Sequence, residues 1–382
     1  MTTTEKIPGR AALTVAHVAG MIDLVALPVW VGTLITAYQF DPQQAGGLVT
    51  LFLAGAVVAS VLFAPRLNSM NGRVMATVGF AVAAVTFAIA SLQTGFAPLA
   101  ICHAVAGFAS ATALSFTHGT IGRSLNPHRL FAIVGTAIGV FAIVFLGATP
   151  GIIADHGGAI LFRIFAVLMV FAALVSLALF PKPALEHDPH AAVNTANLGR
   201  SVWAGIIGVS MMAVSQSMVF GFFQQMGTDR GYDVSAITGV LIALGFVNLF
   251  PAPLAAFLEK RIPAERVVLV GPLLQAILAL IITMSTSFPP YAAAGAVFVA
   301  VMIFTHTFAF GLLSKLDPSG RAVAATPAML MVGAAVGPIL AGTLVKFLGY
   351  PAIGIAVCIC AALAIAFFSQ ARAQKLETVP AH

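Results

Sequence analysis

Apolar segments of about twenty residues recur from one end of this chain to the other, each long enough to cross a bilayer as a helix. That recurrence constrains the fold more than any local motif. Of the 382 residues, 60% are hydrophobic and 8% charged, whereas a soluble domain averages about 45–50% and about 25%. A soluble globular fold is excluded. Breaking the chain at loops bearing Pro, Gly or Asp, such as "TGFAP" and "TSFPP", predicts twelve helices. They span 11–37, 45–64, 74–93, 97–121, 130–153, 159–180, 201–226, 234–257, 267–286, 290–313, 322–346 and 351–370. The expected fold class is an all-α membrane protein. One long polar segment, 181–200, divides an N-terminal six-helix bundle (1–180) from a C-terminal one (201–382) and is expected to be a cytoplasmic linker.

The basic residues carry the topology. Placing both termini and every even-to-odd loop on one face collects fifteen of the eighteen Lys and Arg there. Only Arg163, Arg230 and Lys346 fall on the other face. The positive-inside rule then puts both ends on the cytoplasmic side of a cell (inner) membrane. The net charge of +6 thus reads as a topology signal. No basic face is interleaved with aromatics, so a nucleic-acid partner is not expected. The first apolar run is too long and too weakly cationic at its start for a cleaved signal peptide and reads as a retained helix. Cys102, Cys358 and Cys360 lie in apolar runs and read as small buried hydrophobes, with no disulfide framework or metal site implied. The chain has no Gly-x-Ser-x-Gly elbow, zinc spacing or phosphate loop, which argues against an enzyme and against a cofactor.

The two halves repeat at an offset of about 192 residues. "FDPQQAGGLV" aligns with "YDVSAITGVL", matching Asp41 to Asp233 and Gly47 to Gly239. "SLNPHR" aligns with "KLDPSGR", matching Pro127 to Pro318, and "RVMATVG" aligns with "RVVLVG". Six spans followed by six related spans in the same orientation fit a parallel repeat about the membrane normal, in which substrate sits near the midplane between the halves.

With these features the chain resembles the major facilitator superfamily over essentially its whole length. In the loop after the second span, "PRLNSMNGRV", Leu67, Gly72 and Arg73 match the family pattern, while Ser69 and Met70 replace its Asp-Arg pair. The corresponding loop of the second half, "AFLEKRIPAER", keeps an acid–base pair in Glu259 and Lys260. "ICHAVAGFASA" in the fourth span has His103 in place of an Arg and retains Gly107. "GATPG" and "GAAVGP", the latter Gly333 to Pro338, are similar to the Gly-Pro motif of antiporters. "LP" after the first-span acid and "AGGLVTLFLAGAVVAS" most resemble the twelve-span drug:proton antiporters. The resemblance implies two bundles related by pseudo-twofold symmetry, alternating access and a monomeric carrier surrounded by membrane lipid.

Asp23, in "AGMIDLVALPVW", is the only acid inside any predicted span. Counted from residue 11 at about 1.5 Å per residue, it lies about 18 Å into the first helix, near the bilayer midplane. An ionised acid there is costly, so it must face a watery cavity or a partner, or hold a proton. That suits a coupling carboxylate. The alternative is a structural Asp bonded to a neighbouring helix. Leu27 and Trp30, at i+4 and i+7, share its face and predict an aromatic wall, with Pro28 kinking the helix; the alternative for Trp30 is an interface anchor. Position 23 maps to Ser215 in the seventh span, beside Gln216; Phe222, Gln224 and Gln225 follow, with Gln224 favoured for the cavity. His103 and His306 are candidates for proton exchange or substrate binding, the alternative for each being a satisfied interhelical donor, whereas His17 and His118, near the cytoplasmic ends, read as structural. Asn248 and Gln275 read as interhelical glue. Met211, Met212, Met218, Met329 and Met331 read as packing that also suits varied apolar shapes.

No Lys or Arg occupies the middle of a span, which disfavours anionic substrates. The expected function is proton-coupled export of a small amphipathic, neutral or cationic solute. Proton-coupled uptake of a small metabolite would use the same residues, and a non-transporting receptor is the reading from a different class.

Overall fold

The computed structural model describes residues 3–67, 69–182, 199–317 and 326–377. Two compact units divide it, Met1–Ala192 and Val193–His382. In the first unit seven α-helices follow one another: α1 (Ile7–Gly20), α2 (Ile22–Thr36), α3 (Pro42–Phe63), α4 (Gly72–Ala90), α5 (Phe96–Gly122), α6 (Pro127–His156) and α7 (Ala159–Leu179). The second has α8 (Arg200–Asp229), α9 (Val234–Val247), α10 (Pro251–Leu258), α11 (Ala264–Met284), α12 (Phe288–Leu316), α13 (Thr326–Leu348) and α14 (Pro351–Glu377). Twelve segments among the described residues are long and apolar enough to cross a membrane, with α1 and α2 together forming the first and α9 and α10 the eighth. The expected all-α membrane fold is the one observed. Most of the predicted linker, residues 183–198, lies outside the described residues, as do Pro318 and Arg321.

The repeated loop motifs mark helix starts. Asp41 accepts from the Gln44 N–H, and Gln44 Oε1 accepts from the Asp41 N–H, closing a capping box at α3. Its repeat partner Asp233 caps α9 by accepting from the Ala236 N–H at 3.0 Å. Asn126 likewise caps α6 ahead of Pro127. Several helices run further than the sequence predicts, so Asp155 and Asp229 join the last turns of α6 and α8. Asp23 is thus the only acid in the interior of a span rather than the only acid in one.

Glycines let the helices of each unit approach closely, as membrane bundles require. A Cβ at Gly107 of α5 would drive into the Phe52 carbonyl of α3, and one at Gly55 of α3 into the Ala104 carbonyl of α5. In the second unit Gly333 and Gly337 of α13 bear on α8 at Ser210 and Ser217. The "GAAVGP" glycines therefore make a helix–helix contact. Gly151 of "GATPG" has nothing within 4 Å of its would-be Cβ, so the two motifs differ physically.

Arginines close the ends. Arg73 Nε and a terminal nitrogen donate to the Phe180 carbonyl at 3.1 and 2.8 Å, capping α7. Arg230 donates to the Ile282 and Thr283 carbonyls, capping α11, with its guanidinium 5.8 Å from the Tyr291 ring. One of the three basic residues on the sparse face thus has a structural task.

Candidate functional site

The first span is not one helix. α1 ends at Gly20, Met21 leaves helical geometry at φ −108° and ψ 27°, and α2 restarts at Ile22 with Asp23 in its first turn. The Met21 N–H still donates to the His17 carbonyl at 3.0 Å, and the Leu24 N–H to the Met21 carbonyl at 3.2 Å. Unpaired N–H groups give a helix start a partial positive charge, so the interruption supplies what an acid in an apolar span needs. Asp23 remains partly exposed and makes no hydrogen bond to another side chain among the described residues.

Leu27 and Trp30 are buried, at 6% and 0% exposure. Trp30 sits among Phe52, Phe87 and Phe165, with ring centroids 5.1, 6.1 and 4.8 Å away. Its indole N–H donates to His103 Nε2 at 3.1 Å. His103 Nδ1 lies 2.7 Å from the Leu99 carbonyl, which fixes the proton on Nδ1 and makes Nε2 the acceptor. The structure thus brings Trp30 and His103 together inside the first unit, both nitrogens of His103 engaged, and leaves Asp23 apart from them.

In the second unit His306 Nδ1 bonds the Met302 carbonyl at 2.9 Å, and its ring lies 4.9 Å from that of Phe310. Its Nε2 stays open on a partly exposed side chain. Ser215 is buried, donates to the Met211 carbonyl at 3.1 Å and sits beside the Cys360 thiol. Gln275 Nε2 reaches the Met212 carbonyl at 3.3 Å and Gln216 Oε1 at 3.4 Å, linking α11 to α8. Phe222 is fully buried. Gln224 is partly exposed, yet its Oε1 is sealed without a hydrogen-bond partner. Gln225 instead bonds Asp229 at 2.7 Å. Met212 and Met329 pack with Phe368 in one apolar cluster, with Met211 against it. Cys102, Cys358 and Cys360 are free thiols.

Besides the break at Met21, sequence reasoning missed two further features. The eighth span breaks at Asn248 to Phe250, where Pro251 restarts the helix, and Asn248 Oδ1 is buried without a partner. Pro251 and Pro253 signalled that break. It has no counterpart at the repeat position, since α3 is continuous, just as the break beside Asp23 has none in α8. The second is a histidine pair, His17 and His118, set 101 residues apart in sequence.

The fold is shared with solved transporters. The chain superposes on a bacterial homologue of the human lysosomal transporter Spinster, in an inward-facing and occupied conformation, with a TM-score of 0.74 and 15% identity, covering all of both chains. It superposes on the nucleoside transporter NupG with a TM-score of 0.68 and 16% identity, covering 94% of this chain and 98% of the other. Identities this low carry the fold alone. No curated protein matches the sequence itself. Residues 12–319 match the family profile described as Major Facilitator Superfamily, and with twelve membrane-length helices in two units the chain is a multi-pass membrane transporter, not an enzyme, and belongs to that superfamily.

Proposed function

We propose that this transporter couples solute movement to protons through Asp23, exporting small amphipathic solutes that are neutral or cationic. One observation carries the reading: the first span is interrupted immediately before its only interior acid, which is left partly exposed at a helix start. A carboxylate held this way can exist ionised in the bundle and can also be neutralised by a proton. In an exchange cycle solute and proton compete for it. Proton binding from outside displaces the solute, neutralises the site and lets the carrier reorient by alternating access; proton loss inside readmits a solute. Both termini lie in the cytoplasm in this reading, and the protein acts as a monomer in the cell (inner) membrane. Leu27, one turn after the carboxylate, contributes to substrate binding in this reading, while Trp30 and His103 position its helix. Ser215, Gln216, Phe222 and Gln224 are the second unit's substrate-binding residues in this reading, and His306 Nε2 is a second proton acceptor. No cation stands in mid-span to receive an anion.

A specific observation favours a second reading, proton-coupled uptake of a neutral, hydrogen-bonding solute. Gln224 Oε1 is a sealed acceptor without a donor, and NupG, which shares the fold, is a nucleoside transporter.

The test is purified protein in liposomes under an imposed pH gradient, with a panel of labelled amphipathic cations and neutral nucleosides. Wild type concentrates its solute. Asp23→Asn binds a neutral solute but does not concentrate it, because the amide copies the protonated acid and cannot release a proton. Accumulation by Asp23→Asn at the wild-type level would make the carboxylate structural. The direction of the driven flux separates export from uptake.

A further inference from the structure

We propose that the second unit binds an anionic glycerophospholipid, with an acyl chain in a groove beside the broken eighth span and the phosphate on Arg266. Every residue involved belongs to α9–α12, so the site is independent of the coupling role of Asp23. The groove has a volume of about 530 Å³ and runs between the eighth span and α11. Those two elements each pack on α12 but barely on one another. The break in the eighth span borders the opening: Val247 before it and Phe250 and Pro251 after it all line the groove. Gly271 lets α11 settle onto Thr305 of α12, which forms the floor.

The groove is polar at one end only. Among the described residues that line it, Arg266 is the one charged group and Thr305 the one hydroxyl. The Thr305 hydroxyl donates to the Val301 carbonyl of its own helix at 2.7 Å, so the floor offers water no free hydrogen bond and suits a hydrocarbon chain. Arg266 is the third residue of α11, and Leu274, at the other end of the lining, is the eleventh of 21. Eight residues give about 12 Å of rise at about 1.5 Å each, against about 15 Å for one leaflet of a hydrocarbon core about 30 Å thick. The groove thus starts at one membrane surface with a guanidinium and ends near the midplane in hydrocarbon. A lipid of that leaflet has the same length and the same order of polarity.

The internal repeat shows what sets this arginine apart. "RVMATVG" aligns with "RVVLVG", matching Arg73 to Arg266. Arg73 is held by the Phe180 carbonyl, and the span before it, α3, is continuous and closes on α5 through Gly55 and Gly107. Arg266 is exposed and makes no ion pair or hydrogen bond among the described residues. Arg261 is turned elsewhere, 4.6 Å over the Phe257 ring, and neither Glu259 nor Glu265 lines the groove. A guanidinium presents a fork of N–H donors that matches two phosphate oxygens. A choline headgroup would bring its own cation up to that guanidinium, whereas a glycerol headgroup would not, so the site selects a lipid with net negative charge.

The experiment uses the full-length protein in phosphatidylcholine nanodiscs with a trace of phosphatidylglycerol carrying a diazirine in one acyl chain. After illumination, mass spectrometry compares adducts on α9–α12 with those on α4, where the exposed Val78, Val82 and Val85 report ordinary lipid contact. Adducts should concentrate in the groove, at Val270, Leu274 and Val301. The same probe with a choline headgroup should give a groove-to-α4 ratio about 5-fold lower, the worth of one basic residue at an anionic surface. Arg266→Gln should abolish that difference between headgroups. Leu274→Trp fills the deep end and keeps the guanidinium, and should bring groove adducts down to the α4 level with both probes. Excess inorganic phosphate should displace neither. Equal ratios for the two headgroups in wild type, or an undiminished preference in Arg266→Gln, overturn the proposal. Displacement by phosphate overturns it too, since Arg266 would then bind a free anion, as does groove labelling that survives Leu274→Trp.

Discussion

Removing the indole N–H of Trp30 tests whether His103 works through position. In Trp30→Phe the acceptor His103 Nε2 loses its donor, and it cannot change tautomer because Nδ1 is committed to the Leu99 carbonyl at 2.7 Å. A sealed acceptor without a partner costs about 1–3 kcal/mol. Interhelical hydrogen bonds in membrane proteins average only about 0.6 and reach about 1.7 kcal/mol, because a loosened bundle finds other partners. Here the surroundings are the rings of Phe52, Phe87, Phe162 and Phe165, which offer none. The coupling should fall near the top of that range, at about 1.5 kcal/mol. In a unit of this length that is about 3–6 °C in melting temperature. The ring volume lost from Trp30 is common to the single and double variants and cancels in a cycle. Thermal unfolding is measured for wild type, Trp30→Phe, His103→Leu and the double variant. Each single variant is less stable, and the double recovers the coupling energy because donor and acceptor go together. Stabilities that add to within about 0.3–0.5 kcal/mol refute the bond. Gradient-driven transport by the double variant should then remain, since in this reading His103 positions α2 and moves no proton.

Further outcomes follow from the packing and the caps. Gly107→Ala should destabilise the first unit by about 1–3 kcal/mol, the usual range for overpacking, because the obstacle is the Phe52 carbonyl and backbone cannot swing aside. Gly135→Ala, with nothing within 4 Å of its would-be Cβ, should be neutral or stabilising; equal melting temperatures for the two would refute the close crossing. Arg230→Gln should loosen the end of α11, seen as faster amide exchange at Ile282 to Ser285 with the midplane unchanged. Asp233 is held below the usual carboxylate range by the Ser235 hydroxyl and then the Ala236 N–H. Its folded value is lower than its unfolded one, so its contribution is full above about pH 4 and is lost as pH falls through the folded value. Exchange at the start of α9 should rise in acid in wild type and lose that dependence in Asp233→Asn, since Asn caps comparably without titrating.

What the sequence made legible is what hydropathy and local chemistry encode. Twelve spans follow from apolar length, and the matched pair Asp41 and Asp233 marked equivalent loops that the structure shows to be helix starts. The breaks were only half visible. Gly20 before Met21 and the Pro251–Pro253 pair are helix punctuation, but an apolar run read for length alone passes over it. Contacts between distant helices were not visible at all. His103 read equally as a titratable group or a satisfied interhelical partner and is tied at both nitrogens, while His17 and His118 looked like separate end residues and meet at 3.0 Å. An isolated intramembrane imidazole has no meaning until its second nitrogen is accounted for, and that nitrogen's partner sits on another helix.

The interruptions also argue that the two units have diverged in role. The repeat aligns Asp23 with Ser215, yet the first span is broken there and α8 runs unbroken, while the second unit breaks its second span at Asn248. A repeat that served only symmetric packing would interrupt both halves at the same place or neither. A broken helix frees N–H groups at its restart and carbonyls at its end. The first unit puts its restart next to an acid. The second puts its break next to a neutral amide whose oxygen lacks a donor. In the proposed reading charge is managed in one unit and hydrogen bonding in the other. Exchanging them should fail: Ser215→Asp would set a carboxylate against an unbroken helix, with no free N–H to hold it and the Met211 carbonyl 3.1 Å from the hydroxyl it replaces. In an Asp23→Asn background, Ser215→Asp should leave gradient-driven accumulation at zero. Restored accumulation would show that the carboxylate matters and the broken helix does not.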